Sequence, residues 1–136
     1  MPGTNHHIDT SFIHELPLNM RPAAEDLLKH HPLKELLLMR KHGMNELLRR
    51  SYPFINEFDW ILIINSVLLT KISYFDVNSH FNPRQLDKLL EIAQDALDLP
   101  DSSPKNLYKY SEYRYPVFAN VIKNIIILRQ QKLKSA

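Results

Sequence analysis

Only two glycines, Gly3 and Gly43, stand against nine prolines in this chain of 136 residues. Glycine reaches positive φ without steric cost, and tight hairpins and phosphate-cradling loops both depend on it. A chain so poor in glycine is a weak candidate for an all-β or nucleotide-binding fold. There is also no cysteine, which excludes a disulfide framework, a thiolate metal site and a cysteine nucleophile. With 44% apolar residues to bury, the core must hold by packing alone. At this length the expectation is an all-α fold in a single compact domain.

The prolines act as punctuation. Pro22, Pro32, Pro83 and Pro104 each precede a helix-periodic stretch, at the first-turn position where a missing N–H costs nothing. The run Asn82-Pro83-Arg84-Gln85 combines an N-cap, a first-turn proline and a capping-box glutamine. Ser103-Pro104 repeats the cap-then-proline pattern, and Asn56 can cap the segment after Pro53. These signals predict helices over about 23–30, 33–51, 56–75, 83–98, 104–115 and 117–134. Residues 1–21 read as a partly ordered N-terminal arm, with a turn of helix near Ser11 to Leu16 that docks through Phe12, Ile13 and Leu16. Residues 22–136 then form the helical bundle, five or six helices around a central one.

That central helix is the 56–75 segment. Phe58, Trp60, Ile61, Leu62, Ile63, Ile64, Val67, Leu68, Leu69 and Ile72 run almost all the way round it, the pattern of a helix buried on most sides. Its polar stripe, Asp59, Ser66, Thr70 and Ser73, is small enough for a neighbouring helix to approach closely. Asp59, Asn65 and Lys71 interrupt the run, so no membrane span is expected. The helix from Asn82 is amphipathic, with Leu86, Leu89, Leu90, Ala93, Ala96 and Leu97 on one face. In the last helix Val117, Val121, Ile122, Ile125, Ile126 and Leu128 share a face, while Ile127 falls among polar residues. The first 22 residues lack a basic start followed by an apolar run, so there is no secretory signal and a cytoplasmic protein, in its own cell or a host's, is expected.

Sites of chemistry are scarce. None of the seven histidines forms an i, i+4 pair of the metalloprotease kind. The cluster His6, His7 and Asp9 has ligand chemistry without enforced geometry, and the loop from Asp76 to His80 begins like a calcium loop but lacks its glycine. No metal, no cofactor and no catalytic residue is assigned, and an enzyme is disfavoured.

Charge is unevenly spread. Residues 1–100 hold ten basic and thirteen acidic side chains, net −3, while residues 101–136 hold seven and two, net +5. Within the basic third, Lys105 to Tyr115 reads KNLYKYSEYRY, four tyrosines and three cations in eleven positions. Tyrosine and arginine are enriched at binding hot spots, and aromatics interleaved with cations also suit nucleic-acid bases and phosphates. Tyr108, Lys109, Tyr110, Tyr113, Arg114 and Tyr115 are therefore the partner-binding candidates. Arg40 joins them because it lies within an apolar arc of Leu33, Leu36, Leu37, Met44, Leu47 and Leu48, where it must pair with an acid such as Asp59, snorkel outward or face a partner. The expected function is a small non-catalytic protein–protein interaction module of the adaptor, inhibitor, immunity or effector type. The alternative is a nucleic-acid-binding regulatory protein using the basic C-terminal third. A homodimer is a further possibility, given the apolar content of the 56–75 and last helices.

Overall fold

A computed structural model describes residues 8–74, 81–99 and 103–135, and every regular element among them is helical. Eight α-helices and a 3-10 turn form among the described residues, more than the five or six expected. Two causes account for the difference: Ser11–His14 form a short helix of their own, and the 33–51 stretch splits in two. The elements fall into two units, residues 10–71 and residues 72–135 together with Ile8 and Asp9.

In the first unit, α1 (Ser11–His14) buries Phe12 and Ile13, and Leu16 beyond it is also buried. A 3-10 turn over Leu18–Met20 leads into α2 (Arg21–His30), which carries Pro22 in its first turn and buries Ala23, Ala24 and Leu27. The Arg21 guanidinium donates to the carbonyls of Leu16 at 3.0 Å and His14 at 2.6 Å, tying the arm to the start of α2. Pro32 occupies the N-cap position of α3 (Leu33–His42).

The sequence predicts one helix from 33 to 51, but α3 ends at Gly43, whose φ of 96° and ψ of 166° no helix can contain. Asn45 then caps α4 (Glu46–Ser51), accepting a hydrogen bond from the Leu48 amide at 2.9 Å. The break resets the helical phase. Leu47, placed on the apolar arc by periodicity, is 75% exposed, while Met44 and Leu48 remain buried.

The next helix, α5 (Glu57–Tyr74), starts as predicted, with Asn56 Oδ1 accepting from the Asp59 amide at 2.8 Å. Trp60, Ile63, Ile64, Val67, Leu68 and Ile72 are at most 2% exposed, each contributing roughly 1.5–3 kcal/mol by leaving water. The expectation of burial on most sides holds only for the C-terminal half. Thr70 and Ser73 of the polar stripe are buried there, Thr70 satisfying its hydroxyl on the Ser66 carbonyl at 2.8 Å. In the first two turns Phe58, Ile61 and Leu62, one face at i, i+3 and i+4, are 70%, 50% and 43% exposed.

In the second unit, α6 (Pro83–Ala96) opens with the full capping box: Gln85 N–H donates to the Asn82 side chain and the Asn82 N–H to the Gln85 side chain. Its apolar face buries Leu86, Leu89, Leu90, Ile92 and Ala93. The helix stops in a Schellman turn, with Leu99 N–H bonding the Gln94 carbonyl and Asp98 N–H the Asp95 carbonyl. Asp98 takes the left-handed conformation, φ 54°, that this stop requires. Ser103 caps α7 (Pro104–Arg114) through the Asn106 amide at 3.2 Å.

A single residue, Tyr115, separates α7 from α8 (Pro116–Ser135). Phe118, Ala119, Ile122 and Ile125 of α8 are buried. At its start the Phe118 amide, one of the helix's orphan donors, reaches the buried carboxylate of Asp9 at 3.3 Å. Considered from sequence as a metal ligand, Asp9 here satisfies a helix N-terminus. Arg129 of α8 forms an ion pair with Asp87 of α6.

Candidate interaction surface

Helix α7 faces inward through Leu107 and Ser111, one turn apart and both fully buried. That orientation scatters the sequence-predicted residues over the remaining directions. Lys109 and Tyr113 point outward, Tyr113 at 89% exposure. Tyr110 and Arg114 occupy one flank. The Tyr110 ring lies 6.5 Å from that of Tyr115, and the Arg114 guanidinium sits 5.4 Å above the Tyr115 ring. Tyr115 itself is only 6% exposed. It is therefore withdrawn from the contact candidates and serves as the support against which Tyr110 and Arg114 rest.

Tyr108 takes the opposite flank, where its hydroxyl donates to Glu112 Oε2 at 2.7 Å. This bond to a carboxylate, then some desolvation and the nearby negative charge, raises the Tyr108 pKa above the ordinary tyrosine value. Beside Tyr108 the two helices leave an open groove of about 510 Å³. Ser103, Pro104, Lys105 and Tyr108 form its α7 wall, and Lys123, Ile126, Ile127, Arg129 and Gln130 its α8 wall. The N-terminal half of α7 thus lies against the C-terminal half of α8, an antiparallel hairpin.

The α8 wall from Lys123 to Gln130 is not among the sequence-predicted contact residues. Its trace in the sequence is Ile127, the apolar residue among polar ones, which is 40% exposed. Among the described residues, three cations and no carboxylate line the groove. Arg129 is engaged with Asp87, whereas neither Lys105 nor Lys123 has an ion-pair partner among the described residues. The groove therefore offers an apolar floor with ammonium donors on both walls.

Arg40 belongs to the first unit. Its Nε donates to Asn65 Oδ1 at 2.8 Å, so the neutral amide of α5, rather than the expected Asp59, is the partner of this nitrogen. A small cavity of about 170 Å³ adjoins it, bounded by Met39, Gly43, Met44, Glu57, Trp60, Ile61 and Ile64. The Trp60 Nε1 is buried with no hydrogen-bond partner among the described residues. Tyr52, near the same helix, donates to Asp26 Oδ2 at 3.1 Å and has its pKa raised, by burial first and then by that bond.

His6, His7 and the 76–80 loop lie outside the described residues. Among the described residues no cluster of three or more His, Asp or Glu is placed to hold a metal ion. No helix among them is long and apolar enough to cross a membrane. No protein-family model, curated protein or solved structure matches the chain.

Proposed function

We propose that this chain is a small non-catalytic interaction module that binds another protein through the α7–α8 hairpin. One observation carries the reading: the groove beside Tyr108 joins apolar side chains from two helices, with Ile127 40% exposed, to Lys105 and Lys123, which have no ion-pair partner among the described residues. Exposed apolar surface bordered by polar groups is the usual anatomy of a protein-binding patch. Tyrosine adds rigid amphipathic contact area at low entropic cost.

Site-specific crosslinking tests the reading. A photoreactive residue replacing Ile127 should trap a protein partner in cell extract, whereas the same residue replacing the outward-facing Glu91 of α6 should not. Equal crosslinking from both positions, or from neither, sinks the proposal. Nucleic-acid binding is the competing outcome. It would appear as oligonucleotide affinity falling steeply with salt, log–log slope about −0.9 for each phosphate neutralised on duplex DNA.

A further inference from the structure

Resting on that reading, we infer that the groove takes one amphipathic α-helix of the partner, acidic along both edges of its apolar face. Three features of the hairpin lead to this occupant.

The first is dimension. On α8 the groove runs from Lys123 to Gln130, eight residues whose seven steps span about 10 Å at 1.5 Å per residue. That is two turns, the length over which a docked helix presents apolar anchors at i, i+3 or i+4, and i+7.

The second is the backbone. Both walls are helical, so their internal hydrogen bonds leave no edge to which an extended peptide could add as a strand. Among the described residues Tyr108 is the one aromatic side chain in the lining, too few for the aromatic ladder that grips a polyproline helix. Side-chain packing into the groove is what remains, and a helix supplies it.

The third is charge. Lys105 projects from α7 and Lys123 from α8, one on each wall, and neither has an acidic partner among the described residues. A helix lying between them meets a cation on each side. Glutamates flanking its apolar stripe pair with both lysines at the rim, where such contacts set orientation and exclude basic partners. A basic or neutral helix would leave both ammonium groups unmatched.

The test uses the full chain and a displayed library of helix-forming peptides of about 16 residues, long enough to sustain a helix on binding. Leucines repeat at i, i+3 or i+4, and i+7, and the flanking positions are varied among Glu, Gln and Lys. Selection should enrich Glu at the flanks, and fluorescence anisotropy of the selected peptides should show about tenfold weaker binding to the Lys105→Glu/Lys123→Glu double variant. That variant should prefer the Lys-flanked peptides instead, a reversal that a merely misfolded protein cannot produce. Peptides that bind in competition with an Ile127 crosslink but show no charge preference overturn the inference and leave the interaction reading standing. If no peptide reaches the groove and Ile127 traps no protein, both fall. If sedimentation shows a dimer that the double variant dissociates, the occupant is a second copy and the acidic partner helix is wrong.

Discussion

Replacing Gly43 by alanine should destabilise the protein through its backbone alone. A Cβ added there meets one heavy atom within 4 Å, a guanidinium nitrogen of Arg49 at 3.5 Å, which is ordinary van der Waals contact. Sterically the methyl fits. The cost arises from φ 96° and ψ 166°, a region essentially reserved for glycine, where other residues pay on the order of 1–3 kcal/mol. Alanine also restricts the unfolded chain, which returns about 0.4–1 kcal/mol. The expected net loss is about 1–2 kcal/mol, read from urea unfolding followed by far-UV circular dichroism, with an unchanged m-value. D-alanine at position 43, introduced by chemical synthesis, prefers positive φ and should instead match or exceed the wild type. The variant has one escape, which is to fuse α3 and α4 into the continuous 33–51 helix that periodicity favours. Fusion would rotate the buried Met44 and Leu48 out of place and would register as a gain of helical signal. If Gly43→Ala is as stable as the wild type with identical circular dichroism, the positive-φ break does not exist in solution and the reasoning is refuted.

Four further outcomes follow from the same kind of accounting. Asp98→Gly should stabilise by about 0.5–1 kcal/mol, because the Schellman turn of α6 holds an L-residue at φ 54°; a lower urea midpoint would contradict it. Asp9→Ala should cost about 1 kcal/mol by removing the carboxylate that accepts from the buried Phe118 amide, and Asn, which keeps the acceptor, should recover most of that loss. On α5, Ile63→Ala should cost about 2–5 kcal/mol, since Ile63 is fully buried, whereas Phe58→Ser, at a site 70% exposed, should fall within about 0.5 kcal/mol of wild type. Tyr108 should ionise above the ordinary tyrosine value of 10.0 because its hydroxyl donates to Glu112. The stability that this bond adds is present below pH 10 and disappears as pH rises through the folded-state value. Ultraviolet titration should show the Tyr108 transition moving down in Glu112→Gln, and no movement would mean the bond is not formed.

The helix starts at Asn56, Asn82 and Ser103 were legible because each is a local event. Asn56, Asn82 and Ser103 reach amides only three residues ahead, so their side chains declare the cap without reference to the rest of the fold. Stops were harder to read. Gly43 is as local as any cap, yet the apolar spacing of Leu36, Met44, Leu47 and Leu48 outweighed it, and periodicity is blind to a change of phase. Which face of α5 stays exposed is set by the neighbours its first two turns lack, and no property of Phe58 or Ile61 itself announces that. The groove shows the same division. Tyr108 and Lys105 are visible as residue types on one helix, but Lys123, Ile126 and Ile127 join them only because α8 folds back.

That reversal has a cause in the sequence. Proline disfavours the α region for the residue before it, and Tyr115, immediately before Pro116, takes φ −136° and ψ 78°. Helical periodicity on either side of it is otherwise compatible with one rod from residue 104 to 135. A continuous rod would carry the same tyrosines, lysines and isoleucines along its length and bring no two walls together. By turning the chain in one residue, Pro116 sets α7 against α8, withdraws Tyr115 into the core and leaves the space beside Tyr108. A chain nearly without glycine thus makes its candidate site where one helix ends at Tyr115 and Pro116 begins the next.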